Sequence, residues 1–166
     1  YGEADRILKL FTLEKGKIGF DEYYRFFRRG ADVSLSREEF ARAWNEIFFE
    51  NPKTISLIKR ISGVGKYLLS NTDPSHIGWA EERFPEAMGL FKRRFYSFEI
   101  GALKPAPEVF RHVETEIGLA GEELVMIDDI PENVEGARQA GWQGILFQNA
   151  PKLERQLAAL GIMVEG

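Results

Sequence analysis

The sequence contains no cysteine and only two histidines among its 166 residues. Without thiols there is neither a disulfide framework nor a thiolate metal site. His76 and His112 each stand in a helical pattern with no second ligand at metal spacing, so a surface or cap-facing placement is expected for both. No apolar run is long enough to span a bilayer or to act as a signal peptide, and the expectation is a cytoplasmic chain with no membrane partner. An excess of positive charge is missing as well. The net charge of −4 at pH 7 argues against a nucleic-acid partner, while leaving small anions free to bind at a local basic spot. No internal repeat or low-complexity tract is present. What is present is 44% apolar side chain, enough for one ordinary domain or one core with a small appendage.

Residues 1–50 have a texture of their own. Ile7, Leu8, Leu10 and Phe11 suit an amphipathic helix, Phe20, Tyr23, Tyr24, Phe26 and Phe27 a second, and Phe40, Ala43, Trp44, Ile47 and Phe48 a third. The third opens on Ser36-Arg37-Glu38-Glu39, a capping box whose Ser and Glu side chains would satisfy orphan amides at the helix start. Gly30 and the turn Asp32-Val33-Ser34 separate the second helix from the third. Aromatics at helical spacing are usually core, and the segment reads as a small helical cap module.

Residues 51–166 alternate between helix and strand. Pro52 opens a helix carrying Ile55, Leu57, Ile58 and Ile61, closed by Gly63 and Gly65, and Lys66 to Ser70 is a short strand. Pro74 begins a helix ending near Phe84-Pro85, and Phe95-Tyr96-Ser97-Phe98 is a candidate strand. Pro107 opens a helix ended by Gly118. Leu124 to Ile127 read as a buried parallel strand closed by Asp128 and Asp129. The helix after Pro131 ends at Gly141, Gly144 to Phe147 is a further strand, Leu153, Leu157 and Leu160 mark a last helix, and Ile162-Met163-Val164 a last edge strand. This alternation predicts an α/β fold, a Rossmann-like parallel sheet flanked by helices.

The polar residues fall at strand ends and loops. Two adjacent carboxylates closing a buried strand repel each other, so Asp128 and Asp129 make sense if Mg²⁺, with its oxygen preference, sits against them. The plainer alternative is that Asp129 caps the next helix while Asp128 is solvated. Ser70 and Asn71 end an earlier strand, where a hydroxyl and loop amides can hold phosphate oxygens or make only a turn. Lys104, in the loop before a helix, supplies the compact charge suited to phosphate, or is a surface lysine. Ligands of open α/β sheets bind at the carboxyl ends of strands, and together these groups are what a phosphoryl-transfer site needs apart from a nucleophile.

Leu68-Leu69-Ser70-Asn71-Thr72, the loop Gly101 to Pro105 with Lys104, and Val125 to Asp129 continuing through Asn133-Val134-Glu135-Gly136-Ala137 resemble motifs two, three and four of the haloacid dehalogenase superfamily. The nearest flavour is its small sugar-phosphate phosphatases and the phosphatase domain of soluble epoxide hydrolases. The resemblance covers about residues 51–147, and residues 1–50 are similar to the family's cap in position and character. It implies Mg²⁺ dependence, a small phosphorylated metabolite as partner and an aspartyl-phosphate intermediate. Ser70 and Asn71 would bind the transferring phosphoryl group, Lys104 would orient it and neutralise the nucleophile's charge, Asp128 would ligate Mg²⁺, and Asp129 would do so directly or through water.

The family's first motif, the nucleophilic Asp at the end of a first strand, has no counterpart here. Asp5 and Asp32 follow no strand, and Asp21 after Ile18-Gly19-Phe20 is better read as a helix N-cap. The expectation is that this motif lies on an N-terminal segment outside the sequence, and that the chain without it is inactive. The expected activity is hydrolysis of a small phosphate monoester. A phosphomutase of the same superfamily and a non-catalytic phosphate- or partner-binding module are the alternatives. A dehalogenase would need no Mg²⁺, and a response-regulator receiver places its acidic pair first in the chain.

Overall fold

The structure is a computed structural model and describes residues 3–30 and 34–165. Asp32, and most of the turn expected around it, lie outside the described residues. In chain order the elements are α1 (Glu3–Glu14), α2 (Phe20–Gly30), α3 (Arg37–Asn45), α4 (Pro52–Arg60), β1 (Tyr67–Ser70), α5 (Pro74–Arg83), α6 (Pro85–Met88), β2 (Arg93–Tyr96), α7 (Ser97–Ile100), α8 (Pro107–Ile117), β3 (Val125–Asp128), α9 (Pro131–Gln139), β4 (Gln143–Leu146) and α10 (Ala150–Ala159). A short 3₁₀ turn, Gly121–Glu123, precedes β3. The α/β class expected from the helix and strand alternation is observed, with the strands in two pairs, β1 with β2 and β3 with β4. Packing divides the chain into two units: residues up to Phe49 with Leu69–Met88 and Phe95–Leu103, and Glu50–Leu68 with Gly89–Arg94 and the residues from Lys104 onward.

In the first unit, α3 starts where the capping box places it. Ser36 Oγ accepts the Glu39 N–H at 3.2 Å, and the Glu39 carboxylate accepts the Ser36 N–H at 2.8 Å. Leu13, Tyr23 and Phe40 are the buried centre of helices α1, α2 and α3. The Phe40 ring lies 4.9 Å from Phe27 and 5.9 Å from Trp44, so the aromatic density is spent on a core. The apolar face expected on α1 is only partly buried, because Leu10 and Leu13 pack inward while Ile7, Leu8 and Phe11 are exposed. Asp21 stands in the first turn of α2 and accepts from Arg37 Nε at 2.6 Å. α3 stops at Asn45, short of the expected Phe48, and Phe48 sets its ring edge against His76 at a 4.9 Å centroid distance.

In the second unit, β3 and β4 are parallel, with Val125 opposite Gln143 and Asp128 opposite Leu146. The strands are joined through α9, the helical crossover that a parallel pair requires. Gly144 lets that helix close in, because a Cβ there would lie 2.8 Å from Val134 Cγ1. Leu57, Ile145, Ala150, Leu153 and Leu157 form an apolar cluster, each large side chain worth about 1.5–3 kcal/mol when fully buried. The expected last strand at Ile162–Val164 reduces to one antiparallel bridge between Ile61 and Val164. β3 is buried at Met126 and Asp128 but not at Ile127, which is 37% exposed. Its only strand neighbour among the described residues is β4, so the burial expected on both faces is realised on one.

Candidate active site

Lys104 reaches its place through the loop between α7 and α8. Gly101 takes the left-handed conformation at φ 81° that ends α7, and Pro107 opens α8 six residues later. The Lys104–Pro105 peptide is cis. Pro105 in turn lies under α9: a Cβ on Gly136 would come within 2.6 Å of Pro105 Cβ and 2.8 Å of its carbonyl oxygen. Only a residue without a side chain permits that approach.

Lys104 Nζ donates to Asp128 Oδ2 at 2.6 Å, and the two side chains are 8% and 7% exposed. Asp128 ends β3, and its second oxygen, Oδ1, accepts the Ile130 N–H at 2.9 Å, where α9 begins. Asn133, one turn into α9, turns its Nδ2 toward both carboxylate oxygens at 3.1 and 3.2 Å. Burial alone would push the Asp128 carboxyl up. The hydrogen bond from Lys104, the Ile130 amide, the Lys104 charge and Asn133 together outweigh burial and hold it below the usual carboxylate range. The helix N-terminus adds a favourable field for the anion. Asp128 is therefore not the solvated residue of the plainer alternative, and the N-cap of α9 is Ile130, with no side-chain cap. Asp129 is exposed beside it.

Ser70 and Asn71 belong to the first unit, at the end of β1. Ser70 Oγ lies 3.5 Å from the Asn71 carbonyl oxygen, at the limit of a hydrogen bond. The next two residues are firmly held. Thr72 N–H donates to Ser97 Oγ at 2.9 Å, and Asp73 caps α5, with Oδ1 accepting Ser75 N–H at 2.8 Å and His76 N–H at 3.2 Å. His76, expected at the surface or facing residues 1–50, is buried against Trp44 of α3, with Nε2 2.8 Å from the Trp44 carbonyl oxygen; His112 is exposed. Asn133, Asp73, Ser97 and Trp44 are the polar participants that sequence reasoning passed over. Asn133 left a signal, as an amide at the start of the helix that follows the acidic pair, and so did Asp73, a capping residue directly before the Pro74 that opens α5.

Among the described residues no group of three or more His, Cys, Asp or Glu side chains is placed to hold a metal. Mg²⁺ asks for less, one or two carboxylates with water and substrate oxygens completing its shell. The Asp128–Asp129 pair fits that demand in number and charge. No helix among the described residues is long and apolar enough to cross a membrane.

A family model of haloacid dehalogenase-like hydrolases matches residues 3–141. The chain belongs to the haloacid dehalogenase-like hydrolases. This hydrolase is 27% identical over 157 residues to the D-ribitol-5-phosphate phosphatase of Bacteroides thetaiotaomicron, covering 89% of this chain and 75% of the relative. It is 39% identical over 70 residues to the chloroplast flavin mononucleotide hydrolase 1 of Arabidopsis thaliana, covering 42% of this chain and 29% of the relative. A solved haloacid dehalogenase family enzyme of Bacteroides thetaiotaomicron, in complex with magnesium and inorganic phosphate, superposes with a TM-score of 0.75 at 28% identity, over 83% of this chain and 73% of that one.

Proposed function

We propose that this hydrolase is a Mg²⁺-dependent phosphatase acting on a small phosphate monoester, such as a sugar or polyol phosphate, through an aspartyl-phosphate intermediate. The observation that carries the reading is the buried Lys104–Asp128 pair at 2.6 Å. Hydrophobic residues of similar volume would stabilise a fold at least as well, so a buried ammonium and carboxylate at the carboxyl end of a parallel strand point to work on a charged ligand. The family membership and the phosphatases among its relatives support the same reading.

On this reading Ser70 and Asn71 hold phosphoryl oxygens, and Lys104 orients the group and offsets its charge. Asp128 and Asp129 hold Mg²⁺, which supplies further positive charge against the phosphoryl oxygens. A carboxylate oxygen of the nucleophile attacks phosphorus as the P–O ester bond breaks and the leaving oxygen takes a proton from solvent; water then cleaves the acyl phosphate to free phosphate and carboxylate, returning a proton to solvent. The nucleophile is an Asp on a strand outside the described residues. The edge of β3 opposite β4 has no partner among the described strands, and such an edge offers backbone groups for one more strand. The described residues alone then bind the phosphoryl group without turning it over.

The test is release of phosphate from an aryl phosphate by the full-length protein, with and without a chelator. Activity should vanish with the chelator, in Lys104→Ala and in Asp128→Ala. Full activity in the presence of chelator overturns the metal role, and full activity in Lys104→Ala overturns the site.

A further inference from the structure

We infer that Asp73, gripped by Trp44 and His76, is a positioning residue for the Ser70–Asn71 turn, so that helix α3 sets how well the turn holds a phosphoryl group. The inference rests on the phosphate-binding role proposed for that turn. Asp73 is fully buried, where a carboxylate is tolerated only if its lone pairs are used. Capping α5 occupies Oδ1 alone. Oδ2 accepts instead from Trp44 Nε1 at 3.0 Å and faces His76 Nδ1 at 3.0 Å. Trp44 stands 29 residues earlier in the chain, on a different helix.

The grip is closed from both ends. His76 Nε2 returns to the Trp44 carbonyl at 2.8 Å, and the two rings stack with centroids 4.9 Å apart and an interplanar angle of 8°. The neighbouring Asn45 exchanges hydrogen bonds with Ser75 at 3.1 and 3.2 Å. On the other side of the loop, Ser97 is 1% exposed; its Oγ takes the Thr72 N–H and lies 2.7 Å from the Glu14 carbonyl oxygen. The cap of α5, made by Oδ1, needs none of these contacts. Together they fix Thr72 and Asp73 between α3 and α7, immediately after Asn71.

Trp44→Phe removes the N–H while keeping an aromatic ring, and His76→Leu removes both ring nitrogens. Tyr24→Phe is the control, because it deletes one hydrogen bond, from Tyr24 Oη to the Leu35 carbonyl at 2.7 Å, in the same unit. Each full-length variant is titrated calorimetrically with inorganic phosphate and assayed for KM and kcat on an aryl phosphate, with thermal unfolding recorded alongside. Loss of one hydrogen bond to a charged group should weaken phosphate binding on the order of three- to tenfold in Trp44→Phe and His76→Leu. KM should rise by the same factor. Tyr24→Phe should leave phosphate affinity unchanged even where its unfolding temperature falls as far. His76→Asn, which can keep a donor toward Asp73, should recover most of the affinity. Unchanged phosphate affinity in both Trp44→Phe and His76→Leu overturns the positioning role and leaves the phosphatase reading standing. Wild-type protein that binds no phosphate, or binds it equally well as Ser70→Ala, removes both.

Discussion

Lys104 Nζ and Asp128 Oδ2 meet at 2.6 Å with both side chains more than nine-tenths buried. The Asp128 carboxylate also takes the Ile130 amide and the Asn133 side chain, so its charge is compensated on both oxygens. Deleting one partner of such a pair leaves the other charge buried and unmatched.

Lys104→Met or Asp128→Leu alone should therefore destabilise the fold by about 3–5 kcal/mol, while the double replacement should cost distinctly less than the sum and less than the worse single change. Urea unfolding of the four proteins measures this. Additive losses would mean that the two charges are screened from each other, contrary to their burial. Phosphate release should be absent from all three variants, which separates the pair's chemical role from its contribution to stability.

Much of this architecture was legible in the sequence, and the rest failed for a common reason. The Ser36 capping box, the helices opened by Pro52, Pro74 and Pro107, and the strand closed by Asp128 depend on neighbours within a few residues, and all are observed. The patch Phe95–Phe98 was a candidate strand on its aromatic content. In the structure β2 ends at Tyr96, and Ser97 turns inward to bridge Thr72 and Glu14, partners 25 and 83 residues away. His76 was expected at the surface or facing the N-terminal helices, and which of the two holds was not readable, because the groups that satisfy it, Asp73 and the Trp44 carbonyl, come from a helix cap and a separate helix. Periodicity reports which faces are apolar. It is silent on which polar groups find a partner across the fold. The order Ser70, Lys104, Asp128 was readable, but the donor set around Asp128 required Asn133 to reach back from α9.

Glu14 gives a pH signature. Burial first, and then the Asp73 charge, push its carboxyl above the ordinary 4.5. The folded chain thus holds this proton more tightly than the unfolded chain. Its contribution to stability is full below the ordinary value and is lost as pH rises through the raised folded value, since the native state is then the one binding more protons. Glu14→Gln, which stays neutral, should flatten that decline and be more stable than wild type at neutral pH relative to acid pH. Urea midpoints measured from about pH 4 to pH 8 check the slope. Parallel curves for the two proteins would show that the Glu14 charge is not opposed in the folded state.

Gly136 sets two opposing effects against each other. Replacing a glycine inside an exposed helix by alanine ordinarily gains about 1 kcal/mol through propensity, and Gly136 lies in α9. Here the added Cβ would stand 2.6 Å from Pro105 Cβ and 2.8 Å from the Pro105 carbonyl oxygen, closer than atoms in contact tolerate. The obstructing atoms belong to a ring and a backbone rather than to a flexible tip, so the loop must move. Overpacking of this kind costs about 1–3 kcal/mol, which exceeds the propensity gain, and Gly136→Ala should be net destabilising. Pro105 is joined directly to Lys104, so the displacement should also disturb the Lys104–Asp128 contact and lower phosphate release more than a comparably destabilising change in the Leu153 cluster, such as Ile145→Val. Gly136→Ala with wild-type stability and wild-type turnover would mean that α9 can slide away from Pro105 without moving Lys104.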